Sequence, residues 1–597
     1  MRSRAPIICV LCAFAGLIAA GPAGAWTYGD TLTTIWRPLP NLPVIARPGD
    51  TFTVWANAGA GAGGWNASLK FGALTVPLAV AGGGYQPTKA RWELAFTVPA
   101  GTPEEIYDLE LTSSSTAPDL SAHAVKVIPA YRTDYYFAQI SDTHLPDHTF
   151  SDGAGFNTAD TTGMPDFNAV VADLNVIHPE FILHTGDLVN EGELEEYLGM
   201  YEMGRAKDAM SRLFMPMFVI SGNHDIGGWQ PTPPPAGTSR KNWWRYFGWP
   251  FLGAPPAGDP NHSQNFSFDY GPLHVIGLES YLNNGSYDGY QTPIWGAKSM
   301  TPEQMNWLAA DVAAAPPGSK KLAFYHYDFG GPTTTQFSNP AALGLNGVIW
   351  GHNHGVAEGN RTAQPFNLGL QSVIDGRRTF RIFRVSNGVM SPGPMHHSGT
   401  STDSLTTTWN GPNDGTQGRL TATVLNRFGE TWERAQLLFV LADHDSTVAA
   451  TGGTIAQTIR HGGRLNVYVN CTLNAGATTV VSVTPVAPNP VGVEPAPFAT
   501  ALRFDPPAPS PFQPGTGALA LRFTLPRSGW VAVTVLDITG RRVARVFEGV
   551  REAGTSTIAW DGRGDRGESL PAGVYLALLE TGQSPHIRHT RRFVLVR

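Results

Sequence analysis

Five times between residues 135 and 352, a short apolar run breaks off at an aspartate, an asparagine or a histidine. Tyr135-Tyr-Phe-Ala-Gln-Ile140 leads to Asp142, Phe181-Ile-Leu183 to Asp187, and Met217-Phe-Val-Ile220 to Asn223. Leu322-Ala-Phe-Tyr325 leads to His326, and Gly347-Val-Ile-Trp350 to His352. Such continuous runs read as strands buried on both faces. Phe167, Val170, Val171 and Leu174 fall at spacings of three and four, a helix pattern. Thr301-Pro-Glu-Gln304 reads as a capped helix start, with Thr as N-cap and Pro in the first turn. Strands alternating with helices build an α/β sheet, which carries its sites at the carboxyl ends of its strands.

The residues at those ends are ligands. Asp142-Thr-His144, Gly186-Asp187, Gly222-Asn223-His224-Asp225, Tyr325-His326-Tyr327 and Gly351-His352-Asn-His354 offer carboxylate, amide and imidazole groups. Carboxylate oxygens suit hard cations, and imidazole suits zinc, iron and manganese. Each motif alone is weak. In this order they resemble the signature of the calcineurin-like metallophosphoesterases, over roughly residues 135–355.

The resemblance implies a four-layer α/β/β/α sandwich, a phosphate-ester substrate and two metal ions (iron, manganese or zinc). It implies that Asp142, His144, Asp187 and His354 hold the first ion. Asp187, Asn223, His326 and His352 would hold the second, with Asp187 bridging. A hydroxide between the ions would attack phosphorus. His224 would be the catalytic imidazole that helps protonate the departing oxygen, and Asp225 would orient it. Gly186, Gly222 and Gly351 fit turns whose backbone must bend freely. One departure narrows the subfamily: purple acid phosphatases carry tyrosine three residues after the Gly-Asp aspartate and glycine where His144 stands. This chain has Asn190 and His144, so no iron–tyrosinate is expected.

At 597 residues the chain is too long for a single core. Only 15% of residues are charged, with 67 glycines and 48 prolines, which favours β-rich modules with many turns. The expected architecture is multidomain, a central α/β domain flanked by β-sandwich domains. Residues 1–25 read as a secretory signal, with Arg2 and Arg4, an apolar stretch Ile7–Ala20 and a small-residue cleavage site at Ala23-Gly-Ala25. Residues 26–132 suit a β-sandwich, 133–378 the catalytic domain, and 379–484 a β-rich region that is either a separate sandwich or an extension of the catalytic sheet. A Pro-rich linker follows at 485–514, then an Ig-like sandwich at 515–597. In that last segment Asp537-Ile-Thr-Gly-Arg-Arg542, Trp560-Asp-Gly562 and Pro571-Ala-Gly-Val-Tyr575 resemble C-terminal modules of bacterial secreted proteins, of the hook-capping and secretion-sorting kind. That likeness implies a secretion machinery or cell-surface partner, and a secreted, periplasmic or cell-surface location.

After signal cleavage the mature chain keeps one cysteine, Cys471, so no intrachain disulfide can form, and no second apolar segment is long enough to span a membrane. The net charge of −7 gives no basic footprint for nucleic acid. His184 and His274 read as supporting or core residues, and His396, His397 and His444 as surface ones. The Pro- and aromatic-rich stretch Ile226–Gln264 reads either as a self-packed surface insertion or as a wall beside the metals. Trp243 within it could stack a nucleotide base or pack as core. Two rival functions remain, a cell-surface adhesin with an inert phosphoesterase-like domain, and a nucleotide or lipid phosphodiesterase.

Overall fold

The computed structural model describes residues 33–146, 148–151, 156–160, 163–190, 196–226, 243, 246–247, 265–279, 300, 302–327, 336–355, 359–444, 447–486, 502–525, 529–551, 554–565, 567–581 and 588–596. The expected signal at 1–25, Thr301 and most of Ile226–Gln264 lie outside them. The chain divides into two compact units. One holds the residues up to 410 with 419–439 and 449–484, the other 411–418, 440–448 and everything from 485.

Residues 33–132 form one eight-stranded antiparallel-rich sheet folded over a core that includes Val54, Phe96, Tyr107, Leu109 and Val125. The long strand Leu74–Gln86 joins its two halves. Its first part pairs with Asn66–Phe71 and its second with Arg91–Thr97, the register shifting between Val80 and Gly82.

The central region is built on two five-stranded sheets. The first contains β1 (Asp134–Ile140), β2 (Ile182–His184) and β3 (Met217–Val219). The three run parallel, with Ile182 beside both Ala138 and Met217. Helix α1 (Gly163–Ile177) follows β1, and α2 (Glu196–Met210) follows β2. The second sheet contains β4 (Phe266–Tyr270), β5 (Leu273–Gly277), β6 (Lys320–Phe324), β7 (Gly347–Trp350) and β8 (Phe366–Gly369). From β5 onward its strands are parallel, and helix α3 (Pro302–Ala314) lies between β5 and β6 in sequence. All five apolar runs read from the sequence are strands here.

The first sheet is completed by β9 (Thr379–Ser386) and β10 (Val389–His397), antiparallel additions beside β1. The boundary expected at residue 378 therefore falls inside the catalytic sheet. Residues 405–485 then form a four-stranded and a three-stranded sheet. Trp409 of one meets Phe439 of the other with ring centroids 5.0 Å apart.

The two central sheets share one core. Phe137 of β1 stacks between Phe181 and Phe383, with centroids at 5.2 and 4.5 Å. Phe383 in turn lies 5.7 Å from Phe366 of the opposite sheet. Trp243, with Phe247 at 4.7 Å, is fully buried, so it packs as core and offers no stacking face.

In the second unit, two sheets enclose a core that includes Phe504, Phe512, Trp560, Tyr575 and Phe593. Phe504 and Phe512 belong to this core, so the sandwich begins within the expected linker 485–514 rather than at 515. No helix among the described residues is long and apolar enough to cross a membrane.

His274 of β5 holds the second sheet to α3. Its Nδ1 lies 2.7 Å from Asp269 Oδ1 on β4, and its Nε2 2.9 Å from Asp311 Oδ2 on α3. Burial opposes the charged imidazole, but the two carboxylates outweigh it and raise its pKa to about 9. A raised pKa stabilises the fold fully below the ordinary imidazole value and loses that contribution as pH climbs through about 9. The stability gap between the parent and His274→Gln should thus be widest near pH 6 and close towards pH 10 in denaturant titrations; a pH-independent gap contradicts the ion triad. Phe137→Ala should cost about 3–5 kcal/mol of unfolding free energy. A loss below about 1 kcal/mol would mean the sheets do not rely on that stack.

Candidate metal centre

The carboxyl ends of both sheets point to one place. Asp142 and His144 follow β1, Asp187 follows β2, and Asn223 begins the four-residue helix Asn223–Ile226 after β3. From the second sheet come His326 after β6, and His352 and His354 after β7. All seven expected ligands converge. Asp142, His144, Asp187 and His326 are buried, while His354 keeps about a quarter of its side chain exposed and marks the open side. Asp142, His144, Asp187 and His352 have φ of +50°, +41°, +56° and +68°. Non-glycine residues rarely adopt this left-handed conformation, and each instance stores roughly 1–3 kcal/mol of strain.

The ligand atoms fall into two overlapping groups. In the first, His354 Nε2 lies 3.2 Å from His144 Nε2 and 3.5 Å from Asp142 Oδ1. In the second, His326 Nε2 lies 3.2 Å from Asn223 Oδ1, 3.2 Å from His352 Nδ1 and 3.0 Å from Asp187 Oδ2. That same Asp187 oxygen is 3.7 Å from His144 Nε2 in the first group.

Outward hydrogen bonds decide what these atoms present to one another. His326 Nδ1–H donates to the Thr185 carbonyl at 2.7 Å, so the neutral ring would turn an Nε2 lone pair on the Asn223 and Asp187 oxygens. His354 Nδ1–H donates to Asp375 Oδ2 at 2.9 Å, so its Nε2 does the same towards His144 and Asp142. Buried Asp142 Oδ1 accepts no hydrogen bond among the described residues. Lone pairs facing lone pairs repel unless a cation lies among them, and nitrogen–oxygen sets of this kind suit zinc, iron or manganese. The donor set fits two ions.

Without a cation, protonation of His326 relieves the same repulsion. Burial pushes the Asp142 carboxyl up. Burial acts on Asp187 in the same sense, but the His326 and His224 imidazoles outweigh it and hold that carboxyl well below the ordinary range. His326 is raised to about 9 against its own burial, by Asp187 first, and His352 falls to about 3 through burial and the neighbouring His326.

Asp225 does not orient His224. Its carboxylate accepts the backbone N–H groups of Gly222 (2.8 Å), Val189 (2.9 Å) and Leu188 (3.2 Å), tying the two ligand-bearing turns together. Neighbours on a helical turn point in different directions, so Asp225 and His224 diverge. The Asn190 carbonyl does the orienting, accepting from His224 Nδ1–H at 2.5 Å. Asp375 was missed by the sequence reading, although Val373-Ile374-Asp375 is another apolar run ending in a carboxylate. His184 supports the site as expected. Its Nδ1 accepts from Gly186 N, and its Nε2 meets Thr143 Oγ1 at 2.9 Å. His396, read as a surface residue, is buried beside Phe380, Phe428 and Trp432.

The three motif glycines have different reasons. Gly186 needs its φ of +100° and also space, since a Cβ would sit 2.5 Å from His326 Nδ1. At Gly222 the demand is space, since a Cβ would sit 2.2 Å from Asp187 Oδ1, and at Gly351 one would sit 1.8 Å from Ser141 Oγ.

Residues 135–356 match the calcineurin-like phosphoesterase family, and residues 512–582 match the FlgD Ig-like domain. No curated protein sequence matches the chain. Among solved structures, a purple acid phosphatase from yellow lupin seeds is similar at 11% identity, over 63% of this chain and 70% of that one, with a TM-score of 0.33. A dimetal phosphatase from Danio rerio is similar at 14% identity, over 49% of this chain and 96% of that one, with a TM-score of 0.29. These two are distant likenesses.

Asp375→Ala should weaken metal binding about 10- to 100-fold, the usual effect of removing a carboxylate behind a metal-ligating imidazole. Calorimetric titration of zinc or manganese into chelator-treated protein measures it, with circular dichroism as the folding control. Parent-like affinity in this variant would show that Asp375 does not set the direction of His354.

Proposed function

We propose that the metal-dependent phosphoesterase domain at residues 135–356 is a dinuclear hydrolase of phosphate esters in an exported protein. One observation carries this reading: a single oxygen, Asp187 Oδ2, faces the imidazoles of both ligand groups. Asp142, His144 and His354 complete one coordination set around it, and Asn223, His326 and His352 the other. Two cations held there would supply Lewis acidity towards the phosphoryl oxygens and make hydroxide available near neutral pH.

The chain's own groups place and finish the reaction. The backbone N–H of His224 donates to Asp187 Oδ1 at 2.9 Å, so the imidazole and the shared carboxylate belong to one rigid turn. Because Nδ1–H is committed to Asn190, Nε2 is the nitrogen that serves the substrate. As the bond from phosphorus to the ester oxygen breaks and the bond to the water oxygen forms, His224 Nε2–H gives its proton to the departing oxygen. The Asn223 amide would help hold the charge that develops.

A four-layer arrangement goes with this proposal. The inner faces of the two sheets are used up in their shared core. Helices α1, α2 and α3 join the parallel pairs β1–β2, β2–β3 and β5–β6, and right-handed crossovers then put them on the outer faces. Export rests on the signal-like character of residues 1–25. The adhesin alternative requires a decayed centre, and decay removes ligands first; here all seven are present and convergent.

The test is hydrolysis of an aryl phosphate monoester and a bis-aryl diester by the metal-reconstituted full chain. His224→Ala should lower kcat about 10²- to 10⁴-fold with metal content unchanged. Asp187→Asn should lose both metal and turnover. Full activity in Asp187→Asn would remove the shared-carboxylate proposal, and a parent that takes up no metal would favour the adhesin.

A further inference from the structure

The C-terminal segment has the opposite charge to the rest of the chain. Residues 515–597 contain twelve arginines against seven carboxylates, a net of +5. The whole chain stands at −7, so residues 1–514 carry −12. Much of this positive charge lies on one sheet. Its strand order is Arg542–Arg551, Gly529–Asp537, Gly573–Thr581, Arg588–Leu595, so the first and last strands are edges.

Register shows what the outward face presents. Val531, Val533 and Val535 point into the core, which places Trp530 and Leu536 outward. Trp530 pairs with Val550, and Leu536 with Leu576. Leu576 pairs with Arg592, and Glu580 with Arg588. The outward face thus carries Trp530 and Leu536 on one central strand and Val574 and Leu576 on the other, with Val550 and the arginines on the edge strands and Glu548 and Glu580 among them. Trp530 is 37% exposed, Val550 65% and Val574 38%. Arg542 and Arg545 line one edge, Arg588 and Arg592 the other. Asp565, Glu548 and Glu580 pair with three of these, and Arg592 has no ion-pair partner among the described residues.

Charged edges by themselves guard against strand-to-strand aggregation. That purpose explains the arginines and leaves the exposed Trp530, Val550 and Val574 beside them unexplained. Tryptophan and arginine are the residue types that interfaces concentrate, with an apolar centre and a charged rim.

We propose that this outward face is a docking surface for an acidic protein whose contact patch combines carboxylates with aromatic or aliphatic side chains. Charge complementarity selects the partner. A phosphate backbone would use the arginine rim and leave the apolar stripe idle. The proposal is independent of the chemistry at the metal centre.

The probe is a random glutamate–tyrosine copolymer, titrated against the full chain by calorimetry, beside polyglutamate and phosphatidylglycerol vesicles. The copolymer should bind more tightly than polyglutamate, and raising salt from about 50 to 300 mM should weaken it roughly tenfold or more. The triple change Arg542→Glu, Arg588→Glu, Arg592→Glu should weaken it by a similar factor with the thermal unfolding profile retained. Trp530→Ser with Val550→Ser should erase the preference for copolymer over polyglutamate. If the triple variant misfolds, the salt and copolymer comparisons on the parent still decide. Equal binding of the two polymers, binding indifferent to salt, or tighter binding to the vesicles overturns the proposal.

Discussion

The central domain is organised around an electrostatic problem that protein alone does not solve. Two buried aspartates, an asparagine oxygen and several imidazole nitrogens are turned on one another at 3.0–3.7 Å. Their outward hydrogen bonds leave the inner atoms to take a cation or, at His326, a proton. Such a cluster is stable only with positive charge at its centre, and everything nearby serves to keep the acceptors aimed there. Four of the expected ligand residues hold left-handed backbone, and three glycines are fixed by the absence of room for a Cβ. Strain of this kind survives only where the surrounding structure over-determines it.

The over-determination comes from two sheets meeting. Each contributes about half of the ligands from the carboxyl ends of parallel strands, and the aromatic stack Phe181–Phe137–Phe383 holds the first sheet against the core it shares with the second. The ends of parallel strands leave backbone free to turn sharply, so a loop there can curl its side chains inward without breaking a ladder. Asp225 exploits this by receiving three backbone N–H groups from both ligand-bearing turns.

Much of this was legible in the sequence because burial writes a strong signal. A strand covered on both faces must be apolar throughout, and an abrupt switch to aspartate or histidine marks its end. The order of the motifs then singled out seven residues, and the structure brings all seven together. What was not legible depended on direction rather than identity. Asp225 follows His224 in the chain, yet one residue of helix turns it away, and a backbone carbonyl takes the role expected of it. Asp375 carries the same mark as the ligands but lies outside the motifs. The sequence left open whether residues 379–397 extend the catalytic sheet, and only pairing shows that β9 and β10 do so. His396 was misplaced because nothing local in the sequence reports the aromatic rings that bury it.

The groups that aim the imidazoles are of two kinds. His326 and His224 are anchored to main-chain carbonyls, which every residue at positions 185 and 190 would supply. His354 is anchored to a side chain, Asp375, that one codon change can delete. The two halves of the cluster therefore differ in their exposure to genetic drift. Variation that leaves the fold intact should reach the half containing His354 first, making it the side on which lineages of this protein can alter ion preference without losing the other.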